Sequence, residues 1–374
     1  MAAKTNMGMV RTNNEDNFQA SDNLADGQWS WTNNRLCTLG NKGALMVVAD
    51  GMGGMNAGEV ASEKAIATVK KYFSPAALTD EITGSSSSIE KYLKETIVAA
   101  DGEIKKESKT DSLKEGMGTT IVMAWIKDDK CYIAWCGDSR AYVYNPQTGL
   151  KRLSKDHSYV QELVDNGQLT DDDAFDHPDS NIITRSLGDT NKKAVPELLK
   201  SPYCLQKEDI ILLCSDGLSG MLHDTEMEQI IKGNTDNLDK CADVLIQAAC
   251  DAGGHDNITL TACQITEIKR VPKQVANPIH RSKRQWYTLL PALLAFIVGY
   301  AIGYMSPHPI SNDTTVPIAD TLHQEDIKVE KIDTLEDKTP ILNHGIKLRQ
   351  MTDTLQQGDT IRLKYNYTII KRNQ

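Results

Sequence analysis

No two of the eight cysteines in this chain are spaced C-x-x-C, and none shows zinc-type spacing, so zinc-ribbon and dithiol redox chemistry have no motif to rest on. The first 14 residues lack an apolar core long enough for a signal peptide. Excess positive charge is also missing: 41 Lys and Arg face 51 Asp and Glu, a formal net charge of −10. That balance excludes a broad basic face, so no nucleic-acid partner is expected. Long hydrophobic runs are absent with one exception, which excludes a multi-span membrane protein. The remaining composition, 40% hydrophobic and 25% charged, is that of a globular chain. Its 374 residues fit one large domain with attachments, or two ordinary domains.

The exception is the uncharged run from Trp286 to Met305, and about 20 such residues suffice to cross a bilayer as a helix. Trp286 and Tyr287 at one end and Tyr304 at the other sit where interfacial aromatics belong. Lys269, Arg270, Lys273, Arg281, Lys283 and Arg284 crowd its N-terminal side, whereas the first basic residue beyond it is Lys328. The positive-inside rule then leaves residues 1–285 in the cytoplasm and exports the tail, as a single-pass protein of the cell inner membrane. All eight cysteines precede residue 286, which agrees with a reducing compartment for that portion. Ala295, Gly299 and Gly303 lie four apart, a small-residue spacing that permits a homodimer through the membrane helix. The basic run is topogenic first and a site for anionic lipid second.

The expected organisation is therefore a domain over 1–266, a basic linker over 267–285, a transmembrane helix over 286–305 and an extracytoplasmic tail over 306–374. The tail ends in strand-like alternation over 360–370, which suits either a small β module or a flexible extension. Within 1–266, strands are expected at Ala44–Ala49, Thr119–Ile126, Cys131–Trp135, Ala141–Tyr144, Asp209–Ser215 and Ile258–Gln264. Helices are expected at Gly58–Tyr72, Ser88–Lys106, Thr225–Lys232 and Leu238–Ala252, with Ser85–Ser88 a short loop. Many strands with a few long helices predict a layered α+β domain.

Two segments share one pattern. Ala44 to Gly51 and Ile210 to Gly217 are apolar runs that end in Asp-Gly, at Asp50-Gly51 and Asp216-Gly217. A strand buried on both faces delivers its terminal carboxylate to the edge of the core, and the glycine lets another group approach closely. Asp256 stands just before a strand, Asp138 just after one, and Glu15-Asp16 follow Arg11-Thr-Asn-Asn. Each site alone reads as turn chemistry.

In order and detail, however, Arg-x-x-Asn-Glu-Asp, Ala-Asp-Gly-Met-Gly-Gly, Met-Gly-Thr-Thr (117–120), Gly-Asp-Ser-Arg-Ala-Tyr (137–142), Cys-Ser-Asp-Gly-Leu and Asp-Asn-Ile-Thr resemble the metal-dependent 2C-type Ser/Thr protein phosphatases, in their bacterial membrane-anchored form. Residues 153–158 and 177–188 are similar to the same family's flap. The resemblance, over residues 8 to about 265, implies a four-layer α-β-β-α sandwich with two Mn²⁺ or Mg²⁺ at one end. It implies that Asp50 bridges both ions, that the Gly51 carbonyl binds one, and that Asp216 and Asp256 complete the other. Glu15 then supports the Gly51-side ion, Asp16 organises its waters, and Asp138 matches the position that helps hold a third, weaker ion. Arg11 clamps the substrate phosphate, its planar fork matching two oxygens. Physics points the same way, because carboxylates from several chain positions do not share a cleft as bare anions, and hard divalent cations remove the conflict.

The activity so implied is hydrolysis of phosphoserine and phosphothreonine in cytoplasmic proteins, opposing a cognate Ser/Thr kinase, by a bridging hydroxide that the ions generate. A tyrosine-phosphatase mechanism needs a Cys followed six positions later by Arg, and none of the eight has one. Met52 stands where animal relatives place a histidine, so the leaving-group proton must come from a metal-bound water or another side chain, with His157 and His255 the histidines to consider. The rival reading is a catalytically silent module that binds phosphoproteins or scaffolds a kinase at the membrane. Gly51-Met-Gly-Gly is not a nucleotide loop, since neither G-x-x-x-x-G-K-[ST] nor a full G-x-G-x-x-G follows.

Overall fold

The computed structural model describes residues 1–30, 36–53 and 57–268. The strands in chain order are β1 (Ala2–Asn6), β2 (Asp16–Ser21), β3 (Ala44–Met52), β4 (Gly118–Thr119), β5 (Ile121–Lys127) and β6 (Lys130–Cys136). They continue with β7 (Arg140–Asn145), β8 (Gly149–Arg152), β9 (Glu197–Leu198), β10 (Tyr203–Cys204), β11 (Ile210–Cys214) and β12 (Ile258–Gln264). The helices are α1 (Ala57–Tyr72), α2 (Asp80–Thr83), α3 (Ser86–Ser108), α4 (Tyr159–Asp165), α5 (Asp171–Phe175), α6 (Asp216–Ser219), α7 (Asp224–Lys232) and α8 (Leu238–Asp251).

Two antiparallel sheets form, one in the order β1-β12-β11-β7-β8 and one in the order β10-β6-β5-β3-β2, with β4 added to β3 and β9 to β6. Strand alternation explains the layering, because successive side chains point to opposite faces. Along β3, Leu45, Val47 and Ala49 pack under α1 and α3, while Ala44, Met46 and Val48 face the other sheet. Along β11, Ile211 and Leu213 meet that inner layer, while Ile210, Leu212 and Cys214 pack beneath α7 and α8. The result is the α-β-β-α stack expected from the sequence. Central strands apolar on both faces belong between a helix layer and a second sheet.

Several boundaries differ from the sequence reading for physical reasons. The Ser85–Ser88 stretch is no loop: Ser85 caps α3 by accepting from the Ser88 N–H at 3.1 Å, so the helix starts at Ser86. The strand expected over Thr119–Ile126 is broken at Thr120, whose backbone N–H donates to the Asp50 carbonyl at 2.9 Å. Strand β3 runs on through Asp50 and Gly51 to Met52 instead of stopping at Asp-Gly. Strands β1 and β2 carry no apolar pattern and were not expected. Pairing makes them: β1 lies against β12 from Ala2↔Ala262 to Asn6↔Ile258, and β2 lies against β3 from Asp16↔Asp50 to Ser21↔Leu45.

The chain from 269 onward, including the expected transmembrane helix at 286–305 and the tail at 306–374, lies outside the described residues. Among the described residues no helix is long and apolar enough to cross a membrane. All eight cysteines are free thiols, and burial pushes Cys136 and Cys214 up to about 12.

Leu93 on α3 is fully buried against β5 and β6. Leu93→Ala is expected to lower the unfolding free energy by about 2–5 kcal/mol. The exposed Lys91→Ala should stay within about 0.5 kcal/mol. Urea midpoints at constant slope check both.

Candidate active site

Pairing of β2 with β3 sets Asp16 directly across from Asp50, so two acidic residues start from one register position. Glu15, one residue before, is fixed by its backbone: its carbonyl accepts from the Gly51 N–H at 3.2 Å and from Ser62 Oγ on α1 at 2.6 Å. Its N–H donates to Asn257 Oδ1 at 2.8 Å. The Glu15 carboxylate lies over the start of α1, where a Cβ built on Gly58 would come within 2.6 Å of its Oε2. An anion at the N-terminal end of a helix is favoured by the helix dipole.

The second sheet contributes the other carboxylates. Asp216 opens α6 just past β11, and Asp256 stands two residues before β12. Ser215 Oγ donates to Asp16 Oδ2 at 2.7 Å, joining the two sheets at the acidic end. The Asp16 carboxyl is pushed up to about 8, first by burial and then by the neighbouring charges of Asp256 and Asp216, against the hydrogen bonds from Ser215 and Thr259. The charges of Asp216 and Asp256 thus reach Asp16 and add to the effect of its burial. Asp50 and Asp138 are nearly inaccessible, at 4% and 5% exposure. Asp138 follows β6 in a turn whose next residue, Ser139, contacts Thr120 Oγ1 at 2.6 Å, and Thr120 Oγ1 accepts from the Asp50 N–H at 3.2 Å.

Both Asp-Gly steps require glycine for the same reason. A Cβ on Gly51 would collide with the carbonyl oxygens of Gly58 and Glu15, and one on Gly217 would collide with that of Asn257. The approaching group that the glycines admit is thus the protein's own backbone, which locks each aspartate in place.

Arg11 lies at the rim and donates from Nη2 to Asp256 Oδ2 at 2.7 Å. Arg11, Asp138, Asp216, Asp256 and His255 line one cavity of about 1080 Å³ that extends beneath the flap helices α4 and α5. Of the eight site positions read from the sequence, seven carry acidic or guanidinium side chains at this end of the stack, and the eighth, Gly51, is joined to them by its bond to Glu15. His157 is elsewhere in role. Its Nδ1 accepts from the Gly137 N–H at 3.1 Å, so the ring proton sits on Nε2, which donates to Glu197 at 2.8 Å. Burial pulls its pKa down, and both ring nitrogens are committed.

Sequence reasoning missed the residues that hold the acidic ones. Thr119 Oγ1 donates to the Asp50 carbonyl at 2.9 Å, and Asn257 Nδ2 donates to the carbonyls of Met7 and Asn13 at 2.9 and 2.8 Å. The signal was available, since Ser139, Ser215 and Asn257 are neutral members of the same motifs as the acids, and Thr119 and Thr120 form the Met-Gly-Thr-Thr motif.

The donor set fits hard divalent cations: carboxylates and carbonyls, no sulfur, in a corner whose own charges conflict. Among the described residues no three His, Cys, Asp or Glu side chains are gathered tightly enough to hold an ion by themselves.

The family described as Protein phosphatase 2C matches residues 6–258. A serine/threonine phosphatase, stp, of Listeria monocytogenes is 38% identical over 262 residues, covering 69% of this chain and 92% of that one. The serine/threonine phosphatase of S. agalactiae is similar in structure with a TM-score of 0.59 at 32% identity, over 71% of this chain and 98% of that one. The catalytic domain of serine/threonine protein phosphatase PstP, solved in complex with 2 manganese ions, is similar with a TM-score of 0.55 at 28% identity, over 71% of this chain and 97% of that one.

Two outcomes are expected here. Gly217→Ala should destabilise by about 1–3 kcal/mol through overpacking against the Asn257 carbonyl, read from the denaturant midpoint. The lowered pKa of His157 means the unfolded chain takes up a proton near its ordinary value of 6.5 that the folded chain refuses. Its contribution is thus full above about 6.5 and lost as pH falls below that value. Unfolding free energies of wild type and His157→Gln between pH 7 and 5 should converge as the pH drops; a constant difference would contradict it.

Proposed function

The chain belongs to the protein phosphatase 2C family and is a protein-serine/threonine phosphatase, and from that premise we propose that it hydrolyses phosphoserine and phosphothreonine in cytoplasmic proteins with the help of two bound Mn²⁺ or Mg²⁺. The observation that carries the proposal is the convergence of Asp216 and Asp256 on Asp16, whose carboxyl is lifted to about 8 by burial first and by those two charges after it. Acidic side chains gathered from several chain positions are relieved by divalent cations, and the manganese complex of the similar PstP domain supports that choice. Asp50, the Gly51 carbonyl, Asp216 and Asp256 would hold the pair, with Glu15 and Asp16 supporting it and Asp138 placed for a weaker third ion. When bound, such ions supply Lewis-acid activation of water and neutralise charge on the phosphate.

The chain's own residues do the rest. Arg11 exchanges its contact with Asp256 for two phosphate oxygens and orients the phosphorus toward the acidic corner. Water oxygen bonds to phosphorus while the bond to the Ser or Thr oxygen breaks, and that oxygen takes up a proton. A metal-bound water or a side chain would supply it, and of His157 and His255 the one that lines the cavity is His255. Buried Asp50 stays fixed through the Thr119 and Thr120 bonds, so the geometry is set before substrate arrives.

Opposition to a Ser/Thr kinase, the inner-membrane location and a homodimer through the membrane helix are part of the same proposal. The last two rest on the uncharged run 286–305, its basic flank and its small-residue spacing alone. The silent-scaffold reading draws no support, because Glu15, Asp50, Asp216 and Asp256 are all present.

Phosphate release from a phosphothreonine peptide with Mn²⁺ tests the reading. Asp50→Asn should lose more than the roughly 100-fold typical of an outer-shell residue, and a chelator should abolish the wild-type rate. Equal rates in the two proteins would overturn the proposal.

A further inference from the structure

Seven large hydrophobic side chains are exposed among the described residues, and three of them fall within four positions: Met7 at 44%, Met9 at 70% and Val10 at 60%. Singly scattered exposed hydrophobics need no explanation, but this cluster sits on a backbone that is held from several sides. Gly8 takes φ of +77°, and its backbone lies so near the Asp256 carbonyl that any side chain would collide with it. The Gly8 N–H donates to Asn6 Oδ1, and the Met9 N–H donates to the Gly254 carbonyl, each at 2.8 Å. Asn257 closes the loop at both ends through its bonds to the carbonyls of Met7 and Asn13. The exposure of Met9 and Val10 is thus a fixed display. Little ordering remains to oppose binding there, so apolar contact made on this loop is retained as affinity.

Position supplies the rest. Val10 lines the same cavity as Arg11, Asp216 and Asp256, directly before the arginine that reaches Asp256. A phosphorylated Ser or Thr carries its phosphate only a few bonds from its backbone. With the phosphate at Arg11, a residue flanking it lies within reach of Val10 on the cavity wall and of exposed Met9 next to it in the chain.

We propose that Met9 and Val10 form an apolar ridge that docks an apolar side chain flanking the phosphorylated Ser or Thr of the protein substrate. The proposal rests on the reading that Arg11 and the acidic cluster are the phosphate site. Neither residue belongs to that catalytic machinery, and the ridge acts on peptide binding and not on the chemical step.

The test compares wild type with the Met9→Ser/Val10→Ser double variant, in Mn²⁺, on three substrates. These are a phosphothreonine peptide with Leu on both sides of the phosphoresidue, the same peptide with Asn there, and p-nitrophenyl phosphate. Wild type should favour the Leu peptide by about tenfold in kcat/KM. The variant should lose that preference through KM, with kcat and p-nitrophenyl phosphate hydrolysis unchanged. A preference that survives in the variant, or is absent in wild type, overturns the ridge while leaving the phosphatase reading intact. Loss of p-nitrophenyl phosphate hydrolysis in the variant also overturns it, because the loop would then be acting on Arg11. If light scattering shows a dimer that the variant breaks, with peptide kinetics unaltered, the ridge binds a second copy and the proposal fails. Wild type inert on all three substrates overturns the phosphatase reading itself.

Discussion

Like charges brought together away from water repel, and the acidic end of this molecule is arranged around that repulsion. At Asp16 burial acts first and the charges of Asp256 and Asp216 add to it, lifting its carboxyl to about 8. The protein answers with neutral donors. Ser215 bonds to Asp16, Thr119 and Thr120 clamp the backbone of Asp50, and Asn257 fixes Glu15. Hydroxyl and amide groups restrain position without supplying a cation of their own. Lysines in those places would have neutralised the cluster from within and left nothing for a cation to do. Arg11 is kept to the rim, where it pairs with Asp256 and faces the cavity.

The sandwich architecture makes this arrangement rigid. Asp16 and Asp50 come from adjacent strands of one sheet in register, while Asp216 and Asp256 flank the ends of adjacent strands β11 and β12 in the other. A hydrogen bond from Ser215 to Asp16 crosses between the sheets, and the two glycines after Asp50 and Asp216 allow backbone to lie against backbone. Close packing of this kind transmits small displacements, so substitutions at Gly51 or Gly217 reach the carboxylates even though neither glycine has a side chain to lose.

Legibility in the sequence followed burial. Strands β3, β5, β6 and β11 are apolar on both faces and stand out as runs, β12 alternates Ile, Leu and Ala with Thr, and the amphipathic helices α1, α3, α7 and α8 were readable to within a few residues. Strands β1 and β2 were not readable, because Ala-Ala-Lys-Thr-Asn and Asp-Asn-Phe-Gln-Ala-Ser are strands through their partners and not through their own pattern. The acidic residues were found from Asp-Gly endings and family motifs. The hydroxyl and amide residues beside them were not assigned roles, since Thr119 meets Asp50 across 69 positions and Asn257 meets Met7 across 250. Such partners are fixed by topology, which no local spacing encodes. His157 makes the same point in reverse. A histidine within a motif invites a proton-transfer role, whereas the fold spends both of its ring nitrogens on Gly137 and Glu197.

That commitment of His157 bears on how the cavity keeps its shape. Its backbone N–H donates to the Gly137 carbonyl at 3.0 Å and its carbonyl accepts from Thr184 at 2.8 Å, so the turn carrying Asp138 is tied to the returning end of the flap. Arg140, two residues beyond Asp138, forks onto both oxygens of Asp156 at 2.8 to 3.1 Å, and Arg152 reaches Gln161 on α4 at 2.8 Å. Part of the cavity lining is therefore a connected polar network, and the loop that contributes Val10 and Arg11 to that lining is braced by Asn257. With both held before any ligand arrives, discrimination among substrates must come mainly from fit to a fixed surface and only slightly from ordering on binding. A fixed surface selects by what it displays, and beside Arg11 this one displays apolar side chains.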